Sequence, residues 1–138
     1  MDPDNIHEVA FIRTFISKNK QKRLLALLQN KKGRKKLRLL LAHNVDINTK
    51  FAYFSKEEEN NEEAIYKLLK KFGSPDICYT ICENSKLDSL KMNLKEILHE
   101  LLAQDFGYII SCIPGKLAYY QGESPLNRVV LNNQSSNV

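Results

Sequence analysis

The sequence predicts an α+β fold in which N-terminal helices pack on a small C-terminal β-α-β-β sheet of three to four strands in mixed orientation. Hydrophobic residues recur at helical spacing through the first part of the chain and again between residues 87 and 102. Three short segments rich in β-branched and aromatic residues lie in the second part, at Ile77–Cys82, Tyr108–Ile113 and Leu117–Gln121. The length of 138 residues and the hydrophobic content of 43% fit one compact domain.

The expected domain covers residues 1–131 and divides into a basic helical part, residues 1–55, and a helix plus β-α-β-β part, residues 56–131. The polar residues 132–138 are predicted to form a disordered tail. The longest uninterrupted apolar run, residues 24–28, is far shorter than the ~20 residues that a membrane-spanning helix needs. We therefore expect no association with a membrane.

The N-terminal part is predicted to be helical. Asp2-Pro3 is a typical helix start, and the apolar side chains from Ile6 to Ile16 share one broad side. Residues 17–23 are polar on every side, so they form either a solvated helix turn or a break between two helices. Another short helix is predicted over residues 34–43, with leucines on one side and basic residues on the adjacent side.

A further helix is predicted to follow the capping box formed by Ser55 and Glu58. It buries an apolar stripe and ends at Gly73. Its acidic residues crowd the N-terminal end and its lysines the C-terminal end, which stabilises the helix dipole. We therefore interpret this acidic run as structural.

The β-α-β-β unit is expected to begin with the strand Ile77–Cys82 and a helix capped by Ser85 and Asp88 that ends at Gly107. The strands on either side of this helix are expected to be parallel, with a right-handed crossover. Pro114-Gly115 predicts a type II turn between the last two main strands, and residues 128–131 predict a short edge strand.

Positive charge is concentrated at the N-terminal end. Residues 1–55 carry a net charge of +8 and residues 56–138 a net charge of −3. Ten basic residues and no acid lie between Lys18 and Arg38. The side chains that we predict to bind a polyanion are Arg34, Lys35 and Arg38, supported by Lys31, Lys32, Lys20, Lys22 and Arg23.

The sequence predicts no metal site, no cofactor and no catalytic residue. The three cysteines (Cys78, Cys82 and Cys112) are interpreted as buried, reduced thiols, and Cys112 is expected to lie beside one of the other two if both segments are strands. Cys78 and Cys82 would lie ~13 Å apart along one strand, too far to share a zinc ion. If the chain is an enzyme, Cys112 beside Ser111 is the first candidate for its reactive group.

The favoured hypothesis is a small intracellular binding or regulatory module, located in the cytoplasm, that engages a polyanion such as nucleic acid through its basic helices. The alternative is a protein-interaction or homodimeric structural domain that meets an acidic protein surface and has no nucleic-acid role. Tyr119 and Tyr120 point to opposite sheet faces, so one of them is a candidate for an exposed interface anchor. A small enzyme is the least favoured hypothesis.

Overall fold

The computed structural model of the chain describes residues 5–43, 47–54, 61–82, 84, 86–103, 107–122 and 128–134. The helices in these ranges are α1 (Asn5–Phe15), α2 (Lys18–Leu27), α3 (Lys31–His43), α4 (Glu62–Lys71) and α5 (Leu94–Leu101), and a 3-10 turn covers Thr49–Phe51. The strands are β1 (Ala52–Phe54), β2 (Ile77–Cys82), β3 (Lys91–Asn93), β4 (Tyr108–Ile113), β5 (Leu117–Gln121) and β6 (Arg128–Asn132). The predicted α+β class is confirmed.

The described strands form one six-stranded sheet in the order β1-β6-β5-β4-β2-β3. All neighbouring strands are antiparallel, so the prediction of three to four strands in mixed orientation is wrong. β1 and β3 have three residues each, which is too short for a periodic pattern to reveal them. The segment predicted as an edge strand forms β6, which lies inside the sheet between β1 and β5.

The reversal at β3 explains why β2 and β4 are not parallel. β3 runs back along β2 and ends beside Ile77, with Ile77 opposite Asn93. α5 then returns the chain towards the other end of β2, where Tyr108 of β4 lies opposite Cys82. The expected right-handed crossover between parallel strands therefore does not form.

α5 is shorter than predicted. Its N-cap is Asn93, whose side chain accepts a hydrogen bond from the backbone N–H of Lys95, and the helix ends at Leu101 rather than at Gly107. Asp88 does not cap it, because this residue precedes β3. Its carboxylate instead accepts a hydrogen bond from the backbone N–H of Cys82, the last residue of β2. Ser85 lies outside the described residues.

Helices cover both faces of the sheet. The leucine-rich stripe of α5 packs with α4 on one face, as the sequence predicts, and α1, α2 and α3 pack on the opposite face. Tyr119 belongs to the first core and Tyr120 to the second. The expectation that one of these tyrosines is an exposed interface anchor is therefore wrong.

The open question about residues 17–23 is settled in favour of two helices. α1 ends at Phe15 and α2 begins at Lys18. Between them Ile16 forms an isolated β-bridge with Ile47, and the Gln21 side chain donates a hydrogen bond to the Ile16 carbonyl. The break turns α2 so that Leu24 joins the same core as α1.

Several local predictions agree with the structure. α4 ends before Gly73, which has a φ of 98°, and its first turn is acidic while its last turn is basic. Gly115 has a φ of 70°, and the Lys116 N–H donates to the Ile113 carbonyl in the predicted turn. α4 begins at Glu62 with Asn61 as its N-cap; the predicted capping box and the Asp2-Pro3 helix start lie outside the described residues.

The structure describes residues 132–134 of the predicted tail. Asn132 is the last residue of β6, and the Gln134 side chain donates a hydrogen bond to the Phe72 carbonyl at the end of α4.

Across the described ranges, no helix combines the length and the apolar character that a bilayer crossing requires.

Candidate functional site

The helices on one sheet face carry most of the positive charge of the chain. Residues 5–43, which form α1, α2 and α3, contain eleven lysine or arginine residues and a single acid, Glu8. α4 and α5, on the opposite face, contain four basic and four acidic residues. The charge asymmetry that the sequence shows along the chain is therefore also an asymmetry between the two faces of the molecule.

Most of the basic side chains of this layer point to solvent. On α2 and α3, the buried residues Leu24 and Leu37 face the sheet. Seven cations on the other sides of these two helices are exposed. We call them the outer basic surface, which comprises Lys18, Lys22, Arg23, Lys31, Lys32, Lys35 and Lys36. Lys20, also among the predicted residues, is exposed as well.

A tight turn joins the two helices that carry this surface. The side chain of Asn30 accepts a hydrogen bond of 2.7 Å from the backbone N–H of Gly33 in the first turn of α3. A Cβ atom at Gly33 would lie closer than van der Waals contact to the backbone carbonyl of Leu27. The absence of a side chain at Gly33 therefore lets α3 approach the end of α2, which brings the two helices that carry these cations close together.

Arg34 does not belong to the outer basic surface. Its Nη2 atom lies 2.6 Å from the Glu8 carboxylate, 3.0 Å from the Tyr79 hydroxyl and 2.7 Å from the Ser89 hydroxyl. Its side chain is 17% exposed and that of Glu8 only 2%. Arg34 therefore connects α3 to α1 and to β2.

Glu8 is the centre of this network. The Tyr79 hydroxyl donates a hydrogen bond of 2.8 Å to the same carboxylate oxygen that Arg34 approaches. Burial raises the pKa of Glu8 above its ordinary value of 4.5, although the Tyr79 hydrogen bond and the charge of Arg34 both act in the opposite direction. Burial also raises the pKa of Tyr79, to about 12.

Arg38 forms a second ion pair within the chain. Its Nε atom lies 2.9 Å from a carboxylate oxygen of Asp88, and its side chain is 24% exposed. Asp88 also accepts hydrogen bonds from the Cys82 backbone N–H and the Ser89 hydroxyl. Two of the three residues favoured by the sequence are thus engaged by carboxylates of the same chain, whereas Lys35 lies on the outer basic surface.

Comparison with protein-family models, curated proteins and solved structures finds no match to this chain.

The polar network between the helices and the sheet was not found by sequence reasoning. His7 stacks on Tyr79 with ring centroids 4.7 Å apart, and its Nδ1 atom lies 2.6 Å from the Ser111 hydroxyl. One signal was present: Glu8 shares helical spacing with the buried residues Phe11 and Ile12, and an acid at such a position needs a buried partner.

The His7–Ser111 contact has the residue types of a base and a nucleophile. Ser111 is only 1% exposed, so its hydroxyl is covered in the folded chain. The described residues also contain no group of three or more His, Cys, Asp or Glu side chains arranged to hold a metal ion. The contacts of His7 join α1 to β2 and β4.

The opposite face presents a groove between α4 and α5 with a volume of about 360 Å³. Its walls include both acidic and basic side chains, and Lys95 lies over the ring of Tyr66 at 5.1 Å. The groove has no excess of either charge. Among the described residues, the outer basic surface concentrates charge of one sign, whereas the lining of this groove does not.

Proposed function

We propose that the chain is a nucleic-acid-binding module that contacts the phosphate backbone of a duplex through the outer basic surface. The observation that carries this proposal is the set of exposed lysines on α2 and α3, in a layer whose single acid in residues 5–43 is buried against Arg34. Neutralisation of phosphates by such cations releases counterions and supplies affinity without a sequence code.

The lack of aromatic residues on this surface favours a duplex over a single strand. Residues 16–50, which include α2 and α3, contain no Phe, Tyr or Trp. Proteins that bind single strands usually stack bases on aromatic side chains. The proposed contacts are therefore to phosphates, with no preference for base sequence.

Arg34 and Arg38 have a supporting role in this proposal. Their ion pairs with Glu8 and Asp88 attach α3 to α1 and to the loop after β2. This attachment fixes the orientation in which Lys32, Lys35 and Lys36 face the duplex. The lysines then supply the attraction, because their ammonium groups are exposed to solvent.

Fluorescence anisotropy with a labelled duplex tests the proposal over about 50 to 200 mM salt. The affinity should fall steeply with salt, and the variant Lys32→Gln/Lys36→Gln should bind more weakly. The slope of log affinity against log salt should become shallower by ~0.9 for each phosphate that the variant no longer neutralises. A labelled single strand of the same sequence should bind more weakly than the duplex.

The matched control is Lys67→Gln/Lys71→Gln on α4. It removes the same charge at the same helical spacing, but from exposed positions on the opposite face. Equal reductions in affinity for the two variants would show that net charge alone is responsible and would contradict the proposal. A flat salt dependence or tighter binding of the single strand would also contradict the proposal. Polyglutamate that competes as effectively as unlabelled duplex would contradict it too and would favour an acidic protein partner.

A further inference from the structure

Two of the three buried cysteines lie side by side on neighbouring strands. β2 and β4 pair with Tyr79 opposite Ser111, and one further step in this antiparallel register places Cys78 opposite Cys112. Both thiols face the core under α4 and α5. Directly opposite residues on antiparallel strands have Cα atoms about 4.5 to 5.5 Å apart, which is within the range that a disulfide spans.

The backbone at Cys112 is not fixed by a ladder contact on its other side. The register between β4 and β5 shifts between Ser111 and Ile113, so Cys112 occupies a β-bulge. A bulged residue can adjust its Cα position without breaking a regular row of pairs. The strand geometry therefore allows the small movement that joining the two sulfur atoms requires.

The surroundings of the two sulfur atoms differ. Cys78 Sγ lies 3.3 Å from the Ser74 hydroxyl, and Lys70, whose Nζ donates to the Ser74 carbonyl, lies nearby. The hydrogen bond from Cys112, together with Ser74 and Lys70, lowers the pKa of Cys78. The same contact with Cys78, together with burial, raises the pKa of Cys112. Of the two thiols, Cys78 is the one that contacts Ser74 and Pro75 in the loop between α4 and β2.

We propose that Cys78 and Cys112 are a peroxide-oxidised dithiol that closes to a disulfide within the chain. The Cys78 thiolate attacks one oxygen of hydrogen peroxide, the O–O bond breaks, and Cys78 becomes a sulfenic acid while the released hydroxide is protonated to water. The Cys112 sulfur then attacks the Cys78 sulfur, the S–O bond breaks, and the leaving hydroxide takes the Cys112 proton. Two thiols are oxidised by two electrons, and one peroxide is reduced to two waters.

The peroxide reaches Cys78 from the loop between α4 and β2. Cys78 is 2% and Cys112 3% exposed, so the thiols are covered in the folded chain. The cover over Cys78 includes Ser74 and Pro75, since the thiol contacts the Ser74 hydroxyl and donates to the Pro75 carbonyl. Pro75 and Asp76 are themselves exposed, so a local opening of this short loop admits a molecule as small as peroxide.

Mass spectrometry after peroxide treatment of the full chain tests this proposal. The expected product is one chain lower in mass by about 2 Da, the mass of the two hydrogens removed, with a Cys78–Cys112 cross-linked peptide that a dithiol reductant reverses. Cys82 is the internal control: it is buried on the same face, but its cross-strand neighbour is Tyr108, so it should keep its thiol.

Three variants define the outcome further. Cys112→Ser should stop Cys78 at a sulfenic acid that dimedone traps, Cys78→Ser should leave Cys112 as a thiol, and Cys82→Ser should cross-link as the wild type does. If a variant does not fold, the peptide map of the wild-type chain still decides. Three intact thiols after peroxide, oxidation of Cys78 without cross-linking, or a disulfide that involves Cys82 or a second chain would overturn the proposal.

Discussion

Glu8 shows how a single residue determines the attachment of the basic helices. Its carboxylate is buried between α1, α3 and β2, where Arg34 and Tyr79 satisfy it. Removing one partner of a buried ion pair is strongly destabilising, because the other charge is left without compensation. The position of Glu8 in an apolar stripe indicated a buried partner, but Arg34 and Tyr79 are 26 and 71 residues away in sequence, so periodicity did not identify them.

The raised pKa of Glu8 predicts a pH dependence of stability. A carboxyl group whose pKa is raised by folding holds its proton more tightly in the folded state. Its contribution to stability is therefore fully present below its ordinary value of 4.5 and is lost as the pH rises through the folded-state pKa. In urea unfolding, the stability of the wild type minus that of Glu8→Gln should fall as the pH rises from about 4 to 8. A difference that is constant or increases would contradict this prediction.

At the scale of elements, long periodic segments were predictable and short ones were not. The bounds of β2, β4 and β5 agree with the sequence pattern, since each has at least five residues and clear turn signals at one end. β1 and β3 have only three residues, and the reversal into β3 was hidden because Leu87 and Leu90 continue the leucine spacing of α5. Because this reversal was missed, β2 and β4 were expected to be parallel, whereas they are antiparallel.

The candidate site was predictable in composition but not in geometry. The run from Lys18 to Arg38 identified the basic helices, and Lys32 and Lys35 are exposed as expected. Arg34 is excluded from the outer basic surface because it contacts Glu8, Tyr79 and Ser89. These three residues come from three other parts of the chain. Pairing over such sequence separations follows from tertiary packing, which the local charge pattern does not contain.

The turn between α2 and α3 yields a prediction at this scale. Alanine normally stabilises a helix relative to glycine by up to about 1 kcal/mol. At Gly33 the added Cβ would instead overlap the Leu27 carbonyl, and backbone atoms cannot move aside as a flexible side chain can. We expect Gly33→Ala to lower the free energy of unfolding by about 1 to 3 kcal/mol in urea titrations. The control Lys36→Ala, at an exposed position of the same helix, should change the free energy of unfolding by less than about 0.5 kcal/mol. If Gly33→Ala stabilises the chain, or changes the free energy of unfolding no more than Lys36→Ala does, the close approach of α3 to α2 is contradicted.

At the scale of the whole molecule, the sheet separates two helical layers of different charge. α1–α3 carry eleven cations and one acid, whereas α4 and α5 are balanced. A concentration of one sign of charge opposes folding through mutual repulsion, but attracts a partner of the opposite sign. The hydrophobic contacts of Phe11, Phe15 and Leu37 with the sheet hold this layer in place despite the repulsion.

This balance predicts how salt acts on stability. Repulsion among Lys22, Lys32, Lys35 and Lys36 is screened when the Debye length falls from ~10 Å at 0.1 M salt to ~3 Å at 1 M. The melting temperature of the wild-type chain should therefore rise with added potassium chloride, as measured by circular dichroism. The variant with these four lysines changed to glutamine should melt higher than the wild type at low salt and respond less to added salt. Parallel salt responses of the two proteins would show that these ammonium groups do not repel one another, and the concentrated positive field on which duplex binding depends would then be absent.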